Sequence, residues 1–257
     1  SLHDALPICS VVNAEWVHGK DGLAGLDFGE PTYKGESTPA VDFIIDTIMK
    51  STEREVSIIA IGPLTNIATA FLKEPKIISR IRELVVMAGA FCEDGPRGNS
   101  TPYAEFNVYA DPHAAEIVFD LGQRITVIPM EVGQQAYADE AYLEHLRDLN
   151  SRCAAKSADL LEETAKVLAP HRQKMSEDGL APENGTSLYD PCAIACFLRP
   201  ALFSGRYGTV QVNTDTKSEQ FGMTTFEQGS KRNCLVTYKV DKDPFLQMVA
   251  DHLANLS

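Results

Sequence analysis

Short, wholly apolar runs alternate with longer amphipathic stretches over most of the chain. Ser57–Gly62, Glu83–Met87 and Ile125–Pro129 each carry a compact block of Ile, Val, Leu or Met, which predicts strands buried on both faces. Helices are predicted between them. Val41, Ile44, Ile45 and Ile48 share one face of a stretch from Pro39 to about Met49, with Thr38 placed to cap it. A Gly-Pro turn at 62–63 opens a helix that runs to about Lys73 and stops before Pro75. Asp111-Pro112 is a helix start, Asp as N-cap and Pro in the first position, for a helix reaching about Leu121. Strand, helix, strand repeated in this way predicts an α/β fold. Its central sheet is largely parallel, joined by right-handed crossovers and flanked by helices.

The second half is more helical. From Asp139 to about Met175 the period is helical, broken near Asn150-Ser151, with Leu160, Leu161, Thr164, Val167 and Leu168 forming one stripe. His171–Thr186 is polar and reads as a loop, with His171 solvated. Tyr189-Asp190-Pro191 repeats the Asp-Pro helix start, so Asp190 reads as the cap of a buried apolar helix from Pro191 to Leu198. Strands at Tyr207–Val212 and Cys234–Val240 follow, joined by a polar connection. A last helix runs from about Asp243, with Phe245, Met248, Val249 and Leu253 on one side.

The N-terminal part is read differently. Ser1–Ile8 has no period and resembles translated read-through of a sequencing adapter, so it is set apart from the fold and His3 and Asp4 receive no role. The domain is taken as residues 9–257. Trp16–Leu23 reads as a glycine-bounded loop in which His18 is either a surface residue or faces a pocket, and residues 24–37 as further loop.

Bulk properties narrow the function. The chain has 257 residues, 44% of them hydrophobic, enough for one large α/β domain or at most two. A net charge of −13 argues against nucleic acid and against an anionic membrane as partners, but leaves an uncharged nucleoside open. No apolar run reaches the length of a membrane span. The six cysteines are scattered, and several sit in apolar contexts. This suits reduced thiols in the cytoplasm better than a disulfide framework. Cys192 and Cys196 lack the companions a zinc site requires.

Candidate chemistry gathers between Met87 and Asp111. A long segment rich in Gly, Asn, Ser and Pro leaves the carboxyl end of a predicted parallel strand, where open α/β sheets bind ligands. Asn99, Glu105 and Asn107 lie in it. Singly each has a plainer reading: a turn residue, a solvated carboxylate, an amide satisfying loop backbone. Together with Met87 they suit sugar hydroxyls, which both donate and accept.

Seven stretches, in order, resemble the inosine-uridine preferring nucleoside hydrolases: His18-Gly19-x-Asp21-Gly22-Leu23, Ile61-Gly62-Pro63-Leu64-Thr65-Asn66, Met87-Ala88-Gly89-Ala90, Gly98-Asn99, Ala104-Glu105-Phe106-Asn107, Asp111-Pro112-x-Ala114-Ala115 and Asp190-Pro191. The resemblance implies the nucleoside hydrolase fold and cleavage of the N-glycosidic bond of ribonucleosides by a water bound to Ca²⁺. It makes Asp190 a calcium ligand and Thr65 a second through its carbonyl. Asn99, Glu105 and Asn107 become ribose-binding groups with Met87 beneath the sugar, and His18 with Val17 contacts the base. It also implies a cytoplasmic homodimer or homotetramer.

Two departures accompany it. The family opens with a strand ending in Asp-x-Asp-x-x-x-Asp-Asp, which supplies most calcium ligands and which this sequence does not contain. Roughly sixty residues, about two βα units, are then expected ahead of the matched region. Asp190 and one carbonyl fall short of the six to eight oxygens calcium takes, so this chain alone is expected to bind it weakly and to turn over little or nothing. Second, Tyr189 stands where purine-accepting members carry the His that protonates the leaving base. With an ordinary pKa of about 10, Tyr is a poor acid at neutral pH but can stack on the base. The catalytic candidates are thus Asn99, Tyr189 and His18. A non-catalytic nucleoside- or ribose-binding homologue, or a hydrolase of another ribosyl substrate, are the alternative readings.

Overall fold

The structure is a computed structural model. It describes residues 12–31, 33–92, 97–121, 124–179, 182, 184–229 and 233–256, except the side chains at 171–174 and 176. The adapter-like reading of residues 1–8, and a start near Cys9, lie outside the described residues. In chain order the helices are α1 (Glu15–His18), α2 (Ala40–Lys50), α3 (Thr65–Lys73), α4 (Lys76–Arg80), α5 (Phe106–Ala110), α6 (Pro112–Asp120), α7 (Met130–Gln135), α8 (Glu140–Asp148), α9 (Arg152–Glu177), α10 (Tyr189–Leu198) and α11 (Lys242–Ala254). The strands are β1 (Ile58–Ala60), β2 (Leu84–Met87), β3 (Ile125–Ile128), β4 (Tyr137–Ala138), β5 (Thr186–Ser187), β6 (Phe203–Val212), β7 (Thr224–Gln228) and β8 (Cys234–Val240).

The chain forms two compact units. One comprises residues 33–131 and 204–238 and carries the main sheet, in the order β1-β2-β3-β8-β6-β7. β1, β2, β3 and β8 are parallel, with Ile58 opposite Leu84, Leu84 opposite Ile125, and Ile125 opposite Cys234. Apolar runs form β2 and β3 because both faces are covered: Leu84, Val86 and Val127 are buried in one core with Phe71, Ile77, Val118 and Phe119 from the helices, and Val85, Met87 and Ile128 are buried on the other face. β7, inside the stretch expected as a polar connection, pairs antiparallel to β6. Its Thr-Thr-Phe-Glu-Gln sequence covers only Thr224 and, in part, Phe226, too little apolar alternation to announce a strand, and pairing with a neighbour decides its state.

Helix starts in this unit divide into those with and without a side-chain cap. Asp111 caps α6 as expected, accepting from the Ala114 amide at 3.1 Å with Pro112 in the first turn. Thr38 does not cap α2. Pro39 occupies that position without a side-chain hydrogen bond, its extended backbone feeding directly into the helix.

The other unit comprises residues 12–31, 132–203 and 239–256. α8 and α9 join at the break expected near Asn150-Ser151, where Asn150 takes a left-handed φ of 48°. α9 runs on to Glu177, past Pro170, so the loop expected from His171 begins later. The Leu160–Leu168 stripe is half-buried, and the fully covered positions are the small residues Ala154 and Ala158. α10 is not wholly buried: Ile194 is 44% and Leu198 49% exposed. Trp16, Val17 and His18 form the short helix α1 rather than a loop. Cys92, Cys153, Cys192, Cys196 and Cys234 are free thiols, and burial pushes Cys234 up to about 12. Among the described residues no helix is long and apolar enough to cross a membrane.

Candidate active site

The backbone leaving β2 turns sharply at Gly89, where φ is 77°. A side chain there would be strained, and its Cβ would stand 2.9 Å from the Thr224 hydroxyl. Each amide after the turn is held by a side chain. Gly89 N donates to Glu105 Oε2 at 2.9 Å, Ala90 N to Thr224 Oγ1 at 3.1 Å and Phe91 N to Glu131 Oε1 at 3.0 Å.

Glu105 is the centre of the arrangement. It is 2% exposed and caps α5, its carboxylate accepting from the amides of Asn107 at 2.8 Å and Val108 at 3.3 Å as well as from Gly89. A buried carboxylate needs such donors to offset its lost hydration. This overturns the plainer reading of a solvated loop carboxylate. Asn107, 7% exposed, donates its Nδ2 to the Met87 carbonyl at 2.9 Å and to Met87 Sδ at 3.2 Å. Asn99 Oδ1 accepts from the Phe106 amide at 2.8 Å. Gly98 makes that approach feasible, since a Cβ there would stand 2.3 Å from the Ala104 backbone. Met87, Asn99, Glu105 and Asn107 are therefore brought together in the first unit. Their remaining polar atoms are complementary: Asn99 Nδ2 is a donor and Asn107 Oδ1 an acceptor, each without a hydrogen bond among the described residues.

Thr65, at the start of α3, shares no hydrogen bond with this knot among the described residues. Its hydroxyl donates to Asp111 Oδ2 at 2.7 Å, and its carbonyl accepts the Thr69 hydroxyl at 2.7 Å. It ties α3 to α6.

In the second unit, Asp190 is not the cap of α10. Leu188 occupies that position, and Asp190 lies in the first turn. Its carboxylate accepts no hydrogen bond among the described residues, and burial raises its pKa from 3.8 to about 6. A capping side chain must sit just outside the helix with extended backbone, and Asp190 is already inside it. The β4–β5 pair and the Leu188 amide, bonded to the Ala136 carbonyl at 2.7 Å, lead the chain into Tyr189. The Tyr189 ring packs on Gly133 of α7, where a Cβ would be 2.2 Å from Cδ1. His18 ends α1 with its side chain exposed, Val17 beside it half-buried, and Asp21 closes the following loop through the Leu23 and Gly25 amides.

A buried carboxylate lacking a hydrogen-bond donor is a good partner for a cation, and Asp190 has that chemistry. Thr65 fits less well, because its carbonyl already accepts the Thr69 hydroxyl. Among the described residues no group of three His, Cys, Asp or Glu side chains converges to hold a metal ion. The set present does not fit a complete six-oxygen site.

Glu131 and Thr224 were not singled out from the sequence. Glu131 follows β3 as the candidate loop follows β2, so an acidic residue at the carboxyl end of a parallel strand was the available signal. Burial pushes its carboxyl above the usual range. Thr224 offered no signal.

Residues 4–247 match the model of the inosine-uridine preferring nucleoside hydrolases. The pyrimidine-specific ribonucleoside hydrolase RihA of Enterobacter sp. (strain 638) is 34% identical over 251 residues, covering 96% of this chain and 76% of that protein. The purine-preferring ribonucleoside hydrolase from Gardnerella vaginalis superposes with a TM-score of 0.81 at 27% identity, over 93% of this chain and 73% of its own. The plant nucleoside hydrolase PpNRh1 gives a TM-score of 0.82 at 25% identity, over 96% and 76%.

Proposed function

Since the chain belongs to the inosine-uridine preferring nucleoside hydrolase family, we propose that it cleaves the N-glycosidic bond of a ribonucleoside through the knot of Met87, Asn99, Glu105 and Asn107. The products are the free base and ribose. The observation that carries this reading is the buried Glu105 carboxylate held beside two amides at the carboxyl end of a parallel strand. Breaking the bond develops positive charge on the sugar ring, which a fixed carboxylate stabilises without reorganising. Asn99 Nδ2 and Asn107 Oδ1 offer one donor and one acceptor to hydroxyls that need both.

On the same reading Tyr189 meets the leaving base by stacking or by donating a hydrogen bond, and His18 and Val17 serve the base. Asp190 serves the metal ion, and calcium is the metal the reading takes. The substrate is a small ribonucleoside. The protein is read as a homodimer or homotetramer, and as cytoplasmic, the compartment that reduced thiols suit.

One observation favours a second reading, a ribonucleoside-binding protein without catalysis: among the described residues no three His, Cys, Asp or Glu side chains converge to hold a metal ion. The purified chain, incubated with inosine and with uridine across a calcium titration, separates the two. Slow release of reducing sugar that rises with calcium and disappears in Glu105→Ala is expected. Saturable ribonucleoside binding without sugar release would favour the binding protein, and no binding of either nucleoside would overturn both readings.

A further inference from the structure

We infer that Glu131 and Thr224 are positioning residues for the ribose-binding groups, acting through the backbone of Gly89–Phe91; the inference rests on the hydrolase reading. Three successive amides donate to three side chains drawn from distant parts of the sequence. The partners lie 16, 134 and 40 residues away, at Glu105, Thr224 and Glu131. Thr224 acts in both directions, since its hydroxyl also donates to the Ala90 carbonyl at 3.1 Å. The Gly89 carbonyl accepts from Met130 N at 2.9 Å, and Ala88 N donates to the Ile128 carbonyl at 3.1 Å.

A turn of this shape is not rigid by itself, because glycine at positive φ loses more freedom on ordering than any other residue. What the turn controls is specific. The Gly89 amide is a donor to Glu105, and the Met87 carbonyl two residues earlier receives the Asn107 amide. If Ala90 and Phe91 lose their acceptors, the turn is held only by the Gly89 bonds to Glu105 and Met130, and it loosens. The Glu105 and Asn107 side chains that bond to this backbone are then positioned less firmly. Neither Glu131 nor Thr224 hydrogen-bonds Asn99 or Asn107, so their influence on the sugar passes through the backbone.

The test uses four variants of the whole chain: Thr224→Val and Glu131→Ala, which remove the acceptors, and Thr224→Ser and Glu131→Gln, which keep one. Two readouts are taken: amide hydrogen exchange at residues 89–91 with the Asn107 side-chain NH₂ resonance, and kcat and KM for ribonucleoside cleavage. Thr224→Val and Glu131→Ala are expected to speed exchange at 89–91 by about tenfold, shift the Asn107 NH₂ signal, and lower kcat by a similar factor. Thr224→Ser and Glu131→Gln are expected to rescue all three. Unchanged exchange and an unmoved Asn107 signal in the first pair overturn the inference, as does equal damage in the second pair, which would mark a packing role. Failure of the unmodified chain to bind or cleave any ribonucleoside removes the hydrolase reading, and with it the catalytic purpose inferred here. Exchange and the Asn107 signal then still decide whether the clamp exists.

Discussion

Tyr189 lies on Gly133 so closely that a Cβ at position 133 would stand 2.2 Å from ring carbon Cδ1 and 2.9 Å from Cε1. The ring that the family resemblance assigns to the leaving base therefore owes its place to a missing side chain on α7. Gly133→Ala is expected to displace the ring and to destabilise the fold by about 1–3 kcal/mol through overpacking. In a Tyr189→Ala background the same change is expected to be neutral or to stabilise by up to about 1 kcal/mol, because Ala is the better helix former. A urea-denaturation cycle over the four proteins measures this, and equal costs in both backgrounds would show that the ring and residue 133 are not coupled.

Asp190 should work against stability when no cation is bound. Its pKa is about 6 in the fold against an ordinary 3.8, so the native state holds its proton more tightly than the unfolded chain. The penalty is absent below about pH 4, grows as pH rises through 6, and levels off above at no more than about 3 kcal/mol. Asp190→Asn is expected to raise Tm at pH 7 and to leave it nearly unchanged at pH 4. Millimolar calcium should raise the Tm of the parent chain and not that of the variant. A calcium response shared by both would take Asp190 out of the metal's coordination.

Glu105 combines a structural and a chemical duty, because its oxygens receive the amides of Gly89, Asn107 and Val108. Glu105→Gln turns one acceptor oxygen into a donor facing an N–H, and is expected to cost about 1–3 kcal/mol of stability as well as turnover. Chemical denaturation checks the first, and full stability in the variant would contradict the hydrogen-bond pattern. Asn107→Ala is expected to cost less, about 1 kcal/mol, since it strips one donor from the Met87 carbonyl, while weakening ribose binding at least as strongly as Glu105→Gln.

Asp111 is fully buried and holds both the Thr65 hydroxyl and the Ala114 amide. Asp111→Ala is expected to destabilise by about 2 kcal/mol, through loss of the cap and of the α3–α6 tie. Thr65→Val should cost less, because the Ala114 bond survives. A reversed order in urea midpoints would mean that the cap matters less than the tie.

Much of the architecture can be read along the chain. β1, β2 and β3 are continuous apolar runs, and α2, α3, α6 and α11 carry their buried residues at helical spacing. Asp111-Pro112 announces its helix through local chemistry alone. These features depend on residues a few positions apart, and such information survives in the linear order. The residue types of the candidate site, an amide, a carboxylate and an amide after a strand, are visible for the same reason.

What depends on distant partners is invisible until the chain is folded. The five-residue helix α5 is too short to form by itself, and it exists because Glu105 caps it while also holding Gly89. β7 is a strand because β6 lies beside it. Asp111 and Asp190 share the same Asp-Pro sequence, yet one is a satisfied cap and the other a buried carboxylate with a raised pKa. The dipeptide cannot distinguish them, because desolvation comes from whatever packs around a group. Thr224 meets Ala90 across 134 residues although β3, β8 and β6 lie between β2 and β7 in the sheet, and only the folded chain brings them to hydrogen-bonding distance. Local periodicity thus determined the layers of this protein, while long-range hydrogen bonds and burial decided which polar groups are held and which are left for a ligand.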